Sequence, residues 1–129
     1  MEKQKIYEFD PQIYPRKVWV TVGVPFEELK DEFENLKPME EGSDAQVDHL
    51  RKLKPEVRGG VLVRFENLDA LKKFGNITHE SIHVATEIFD YIGAYHDPKN
   101  QELFAYLCGW IAKCMDEVKQ IELSNISNK

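Results

Sequence analysis

The sequence has no apolar run approaching the roughly 20 residues that a membrane-spanning helix needs. It also has no cluster of lysine or arginine: 17 basic residues stand against 23 acidic ones, for a formal net charge of -6. Nucleic-acid binding needs a basic face to neutralise phosphates, so it is not expected here. The opening stretch Met1-Glu2-Lys3-Gln4-Lys5-Ile6-Tyr7-Glu8 lacks an apolar signal core, which predicts a cytoplasmic rather than a secreted chain. Cysteine is scarce. Cys108 and Cys114 fall in a helical pattern about 9 Å apart along its axis, too far to bridge, and read as free thiols of a reducing compartment. Internal repeats, linkers and low-complexity blocks are absent. What remains is 129 residues, 42% hydrophobic, enough for one domain with a modest core and no covalent staples.

Strand signals come first. Lys5 to Phe9 alternates briefly before Asp10-Pro11, and Lys17 to Val24 places Val18, Val20, Val22 and Val24 on one side with Trp19 and Thr21 on the other. Phe26, Leu29, Phe33 and Leu36 recur at helical spacing, predicting an amphipathic helix over Pro25–Lys37. A polar loop follows. The stretch Ala45 to Leu53 is ambiguous and admits a short helix, in which His49 would be an exposed helix residue. Gly59-Gly60 opens the strand Val61–Phe65, and Asn67 starts a short helical piece running to Gly75. Two long helices complete the chain. The first covers about Ile77 to Ile92, with Asn76 or Thr78 as cap and Gly93 as stop; the second runs from Asp97-Pro98 to about Leu123. The predicted fold is α+β: a small antiparallel sheet over 1–67 packed against helices, with an antiparallel helix pair over 76–123.

His79-Glu80-Ser81-Ile82-His83 has the form H-E-x-x-H. Four residues advance a helix by about 40° beyond a full turn, so both imidazoles project from one side. Two nitrogen donors on a rigid rod suit tetrahedral Zn2+. Glu80 sits about 100° from His79, beside the donors, where a general base can reach water. The apolar residues Val84, Ala85, Ile88 and Phe89 occupy the opposite arc, so the histidines point away from the core. Catalytic zinc takes three protein ligands and leaves one position open. Glu102, early in the next helix, is the best third ligand; His96 and Glu87 are the alternatives. Leu103, Leu107, Ile111, Cys114 and Val118 are the expected buried stripe of that helix, and Gly109 would permit close helix approach. The competing reading of the whole motif is a solvated polar helix face.

The eighteen residues between His83 and Glu102 complete HExxH-x18-E, and Asn100-Gln101-Glu102-Leu103-Phe104-Ala105 resembles the segment around the third ligand of aminopeptidases. The chain thus resembles the gluzincin branch of zinc metallopeptidases, and also small HExxH proteins of bacteriophages and bacterial mobile elements. The resemblance covers Ile77 to Trp110, about a quarter of the chain. It implies a single zincin-like domain over 1–129 and a peptide-bond hydrolase, with His79, His83 and Glu102 on Zn2+ and Glu80 as base. Where thermolysin-like enzymes carry an acidic residue four positions after the third ligand, this chain has Tyr106, a candidate for stabilising the oxyanion. Only 27 residues follow Glu102 (129 minus 102), so the domain that supplies this group in gluzincins has no counterpart in the sequence. The partner expected is a peptide or protein substrate, with no nucleic acid and no membrane. The alternative is a non-catalytic accessory protein that uses the helix pair to bind another protein. Zincins also bind substrate along an edge strand above the metal helix, and Val61–Phe65 is the candidate strand. Trp110 is read as core or as lining the cleft.

Overall fold

Val18, Val20 and Val22 alternate with Trp19 and Thr21 along β2 (Lys17–Val22), and all five are buried. A strand covered on both faces belongs inside a sheet. In the computed structural model, which describes residues 5–127, β2 lies between β1 (Tyr7–Phe9) and β4 (Arg58–Phe65). β3 (Ala45–Lys52) closes the far side, giving the order β1-β2-β4-β3. β1 pairs antiparallel with β2 and β3 antiparallel with β4, but β2 and β4 are parallel, with Val18 level with Val61 and Val22 level with Phe65. The sheet is therefore mixed rather than antiparallel. The cause is the route of the chain: it leaves β2, runs out to the edge as β3, and turns back into the slot beside β2 as β4.

Helices α2 (Leu68–Lys72), α3 (Phe74–Ile92) and α4 (Glu102–Ser127) cover one face of the sheet. There Val18, Val20, Val61 and Val63 meet Val84, Ile88, Ile111 and Met115 in the main core. On the other face Trp19 and Leu62 pack against Leu29, Phe33 and Leu36. The α+β class holds, and among the described residues no helix is long and apolar enough to cross a membrane.

Several boundaries differ from expectation. The helix predicted over Pro25–Lys37 shrinks to α1 (Phe26–Leu29). Beyond it the chain bends so that Phe33 bridges Lys52 and Asn35 adopts a left-handed φ of 57°, yet Leu29, Phe33 and Leu36 still point into one core. Ala45–Leu53 is not helical: Ala45–Lys52 is the strand β3, because pairing with β4 overrides a weak helical pattern. α3 starts at Phe74, and neither Asn76 nor Thr78 caps it; Asn76 Nδ2 instead donates to Asp44 Oδ2 at 3.0 Å. Gly93 does end it, at a φ of 78° that favours glycine. α4 begins at Glu102 rather than Asp97, whose side chain accepts from Lys99 N in a turn, and it continues to Ser127. Its buried stripe takes Phe104 in place of Leu103, and a Cβ at Gly109 would meet open space, so that glycine serves no close helix contact. Cys108 and Cys114 are free, and burial pushes the Cys114 thiol up to about 12.

β1 is tied across the core to the far end of α4. The Tyr7 hydroxyl donates to Glu122 Oε2 at 2.5 Å, and both residues are buried. Burial, and then the bond to Glu122, hold the phenol well above its ordinary pKa. The folded state therefore retains that proton more tightly than the unfolded chain does. Stability from this group is intact below pH 10 and is lost as the pH climbs beyond it. Tyr7→Phe is expected to cost about 1–3 kcal/mol at neutral pH and to flatten the alkaline loss, both measurable by urea denaturation.

Candidate functional site

The strand β3 and the helix α3 run side by side in the same direction. At one end Asp44 Oδ2 accepts from Lys73 Nζ and Asn76 Nδ2, both at 3.0 Å. At the other, His49 Nδ1 lies 3.7 Å from Glu87 Oε2, and its ring meets Tyr91 edge-on at 5.7 Å. Asp44 to His49 spans about 17 Å of strand, and Asn76 to Glu87 about 16 Å of helix, so the two elements keep level throughout. Between them is an open cleft of about 360 Å³, lined by Ala45, Gln46 and Val47 from β3 and by His79, Glu80, His83 and Glu87 from α3.

One wall of this cleft is an unpaired strand edge. The bond from Glu66 N to Asp44 O sets the phase of the β3–β4 ladder, so even-numbered residues of β3 bond to β4. Odd-numbered residues turn their backbone groups outward. Arg51 O and Leu53 N are met there by Glu34 N and Glu32 O, at 2.8 and 2.7 Å. Ala45, Val47 and His49 have no such partner among the described residues. The edge strand beside the H-E-x-x-H motif is thus β3. The strand expected in that place, Val61–Phe65, is interior.

The floor carries the motif. His79 Nε2 and His83 Nε2 are 3.1 Å apart, close to the separation of about 3.3 Å that two nitrogens take on tetrahedral zinc. Glu80 Oε2 lies 3.9 Å from His79 Nε2, and the three donor atoms all fall within 4.8 Å of one another. Among the described residues this is the one group placed to hold a metal ion. Nitrogen and carboxylate donors in this spacing fit zinc. Glu80 is 7% exposed, and no described residue donates a hydrogen bond to its carboxylate. Burial pushes its pKa up, against the opposing pull of His79 and His83. Glu80, expected beside the two imidazoles, stands near enough to them to serve as donor or as base.

The other expected members are elsewhere. The side chains of Phe89 and Phe104 pack at 5.2 Å, and Ser81 Oγ meets Met115 Sδ at 3.7 Å, which fixes the register of α3 against α4. Met115 is thirteen residues past Glu102, about 20 Å along the helix. Glu102 therefore sits at the far end of the pair from the histidines, exposed to solvent. The cause is that α3 continues nine residues past His83, about 13 Å, before the chain reverses. Tyr106 is 73% exposed on the same end of α4 and cannot face the cleft. His96 stacks on Phe104 at 4.3 Å, also at that end. Trp110 packs on the main core and does not line the cleft. Glu87 does line it, outside the converged trio.

Sequence reasoning missed the edge of β3 and His49. Read with a period of two, Ala45, Val47 and His49 alternate with Gln46, Asp48 and Leu50, and that signal would have placed His49 on the α3 side. No family model matches the chain, and neither a curated protein nor a solved structure matches it.

Proposed function

We propose that this chain is a zinc-dependent hydrolase of the metallopeptidase type, acting on an extended peptide laid along the free edge of β3. The observation that carries the reading is the convergence of His79, Glu80 and His83 on the floor of a cleft whose wall is that edge. Backbone groups of Ala45, Val47 and His49 would align the peptide as an added strand, with its carbonyls over the histidines. His79 and His83 would hold the ion. Zinc there supplies Lewis acidity, which polarises a carbonyl and acidifies water. Glu80, desolvated and shifted toward neutrality, is suited to take the proton of the attacking water and pass it to the departing amine.

A second reading, a zinc-holding accessory domain that binds a protein segment without cutting it, is favoured by the remoteness of Glu102 and Tyr106. No group from α4 then completes the ligand set or steadies an oxyanion. One variant separates the two. If Glu80 is the base, Glu80→Gln retains zinc within about threefold in affinity and lowers peptide hydrolysis by about a hundredfold or more. If Glu80 is the third ligand, the same change weakens zinc by about tenfold or more, and the wild-type protein cleaves no peptide. Undiminished hydrolysis in Glu80→Gln would sink the catalytic role.

A further inference from the structure

We infer that the cleft selects a basic side chain, received by Glu87 two residues along the bound strand from the residue lying over His83. The inference rests on the proposed use of β3 as a peptide platform and adds the class of peptide. It needs no metal.

The first ground is charge. Glu40, Glu80 and Glu87 line the cleft, and among the described residues no lysine or arginine does. The Glu80 side chain is nine-tenths buried there, with His79 Nε2 at 3.9 Å and no described residue donating a hydrogen bond to it, so its carboxylate adds an acceptor beneath the exposed ones. The second ground is spacing. Two residues of strand advance about 6.8 Å, and the four residues from His83 to Glu87 advance about 6 Å of helix. On a peptide paired with β3, side chains that face α3 recur at this same interval, so one stands over His83 and the next over Glu87.

The third ground is the way Glu87 is held. Arg16 Nη1 lies 3.4 Å from His49 Nε2, and a guanidinium can only donate, so that nitrogen accepts. The imidazole proton therefore sits on Nδ1, on the side of Glu87 Oε2. Arg16 is itself fixed by stacking 3.5 Å over the Tyr91 ring. Burial and then the charge of Arg16 hold the His49 pKa below its ordinary value, against Glu87 and Asp90. A neutral His49 stands 3.7 Å from Glu87 without placing a positive charge beside it. The Glu87 carboxylate is half open to the cleft, where an incoming cation can reach it.

The test uses zinc-free, full-length protein and fluorescein-labelled, acetylated hexapeptide amides of threonine and valine. One position, moved along the peptide, is lysine, glutamine or glutamate, and binding is followed by anisotropy at low salt. The best lysine peptide should bind about tenfold tighter than its glutamate counterpart, and added salt should erode the gap. Glu87→Gln should erase the preference and Glu87→Lys should invert it, with thermal melts like the wild type because Glu87 is a surface residue. Equal binding of the three peptides, a lysine preference that survives Glu87→Gln, or no binding of any peptide would overturn the inference. A lysine preference in a protein that binds no zinc would remove the proposed function and leave this inference standing.

Discussion

Replacing His83 with alanine is expected to weaken zinc binding by at least about a hundredfold, and His79→Ala by a similar factor. Each change removes one of two nitrogens that are 3.1 Å apart on the same helix face, and among the described residues only Glu80 converges with them. Competition against a chelator of known affinity measures the effect. The informative controls are Glu102→Gln and Tyr106→Phe, both expected to stay within about threefold of wild type. The register of α3 and α4 places both residues at the other end of the helix pair, with Glu102 about 20 Å of helix from the level of Met115 and Ser81. A loss in Glu102→Gln as large as that in His83→Ala would mean that the helices pair differently when metal is bound.

The second large effect concerns the sheet that holds the site. A Cβ at Gly60 would run into the carbonyl oxygen of Lys17 on β2 and would come within 2.6 Å of Cζ3 of Trp19. Neither neighbour can yield. The Lys17 carbonyl belongs to the parallel β2–β4 ladder, and Trp19 is fully buried with its indole N–H donating to Glu8 Oε1 at 2.8 Å. Gly60→Ala would have to force the central strands β2 and β4 apart, at a cost of about 3 kcal/mol or more. That is a large share of the roughly 5–15 kcal/mol by which domains are stable. Gly59→Ala is the contrast: its Cβ would meet only the guanidinium of Arg16, the end of a long side chain. It should cost less than about 1.5 kcal/mol, through loss of the Arg16–Tyr91 stack. Equal urea midpoints for the two variants would contradict a tight β2–β4 contact at Gly60.

Patterns complete within a few residues could be read from the chain. The alternation of Val18, Trp19 and Val20 gave both faces of β2, and Gly93 marked the end of α3. The H-E-x-x-H spacing placed His79 and His83 on one side of a helix, as observed. What could not be read depends on distant pairing. β3 is a strand because β4 lies beside it, and β4 runs parallel to β2 because the chain visits the edge first. Glu102 illustrates the limit most clearly. Its spacing from His83 suits a chain that reverses soon after the motif, but the apolar run through Val84, Ala85, Ile88 and Phe89 extends α3 to Ile92 and carries the reversal away from the histidines.

The proposal as a whole rests on His79 and His83 holding zinc in the cleft beside β3, with Glu80 next to them. X-ray absorption at the zinc edge, on protein loaded with one equivalent, tests it most directly. The expected result is a first shell of nitrogen and oxygen near about 2.0–2.1 Å with the outer-shell pattern of two imidazoles, and no sulfur. In His79→Ala the imidazole count should fall to one. A shell containing sulfur, or zinc that washes away from the wild-type protein, would contradict it.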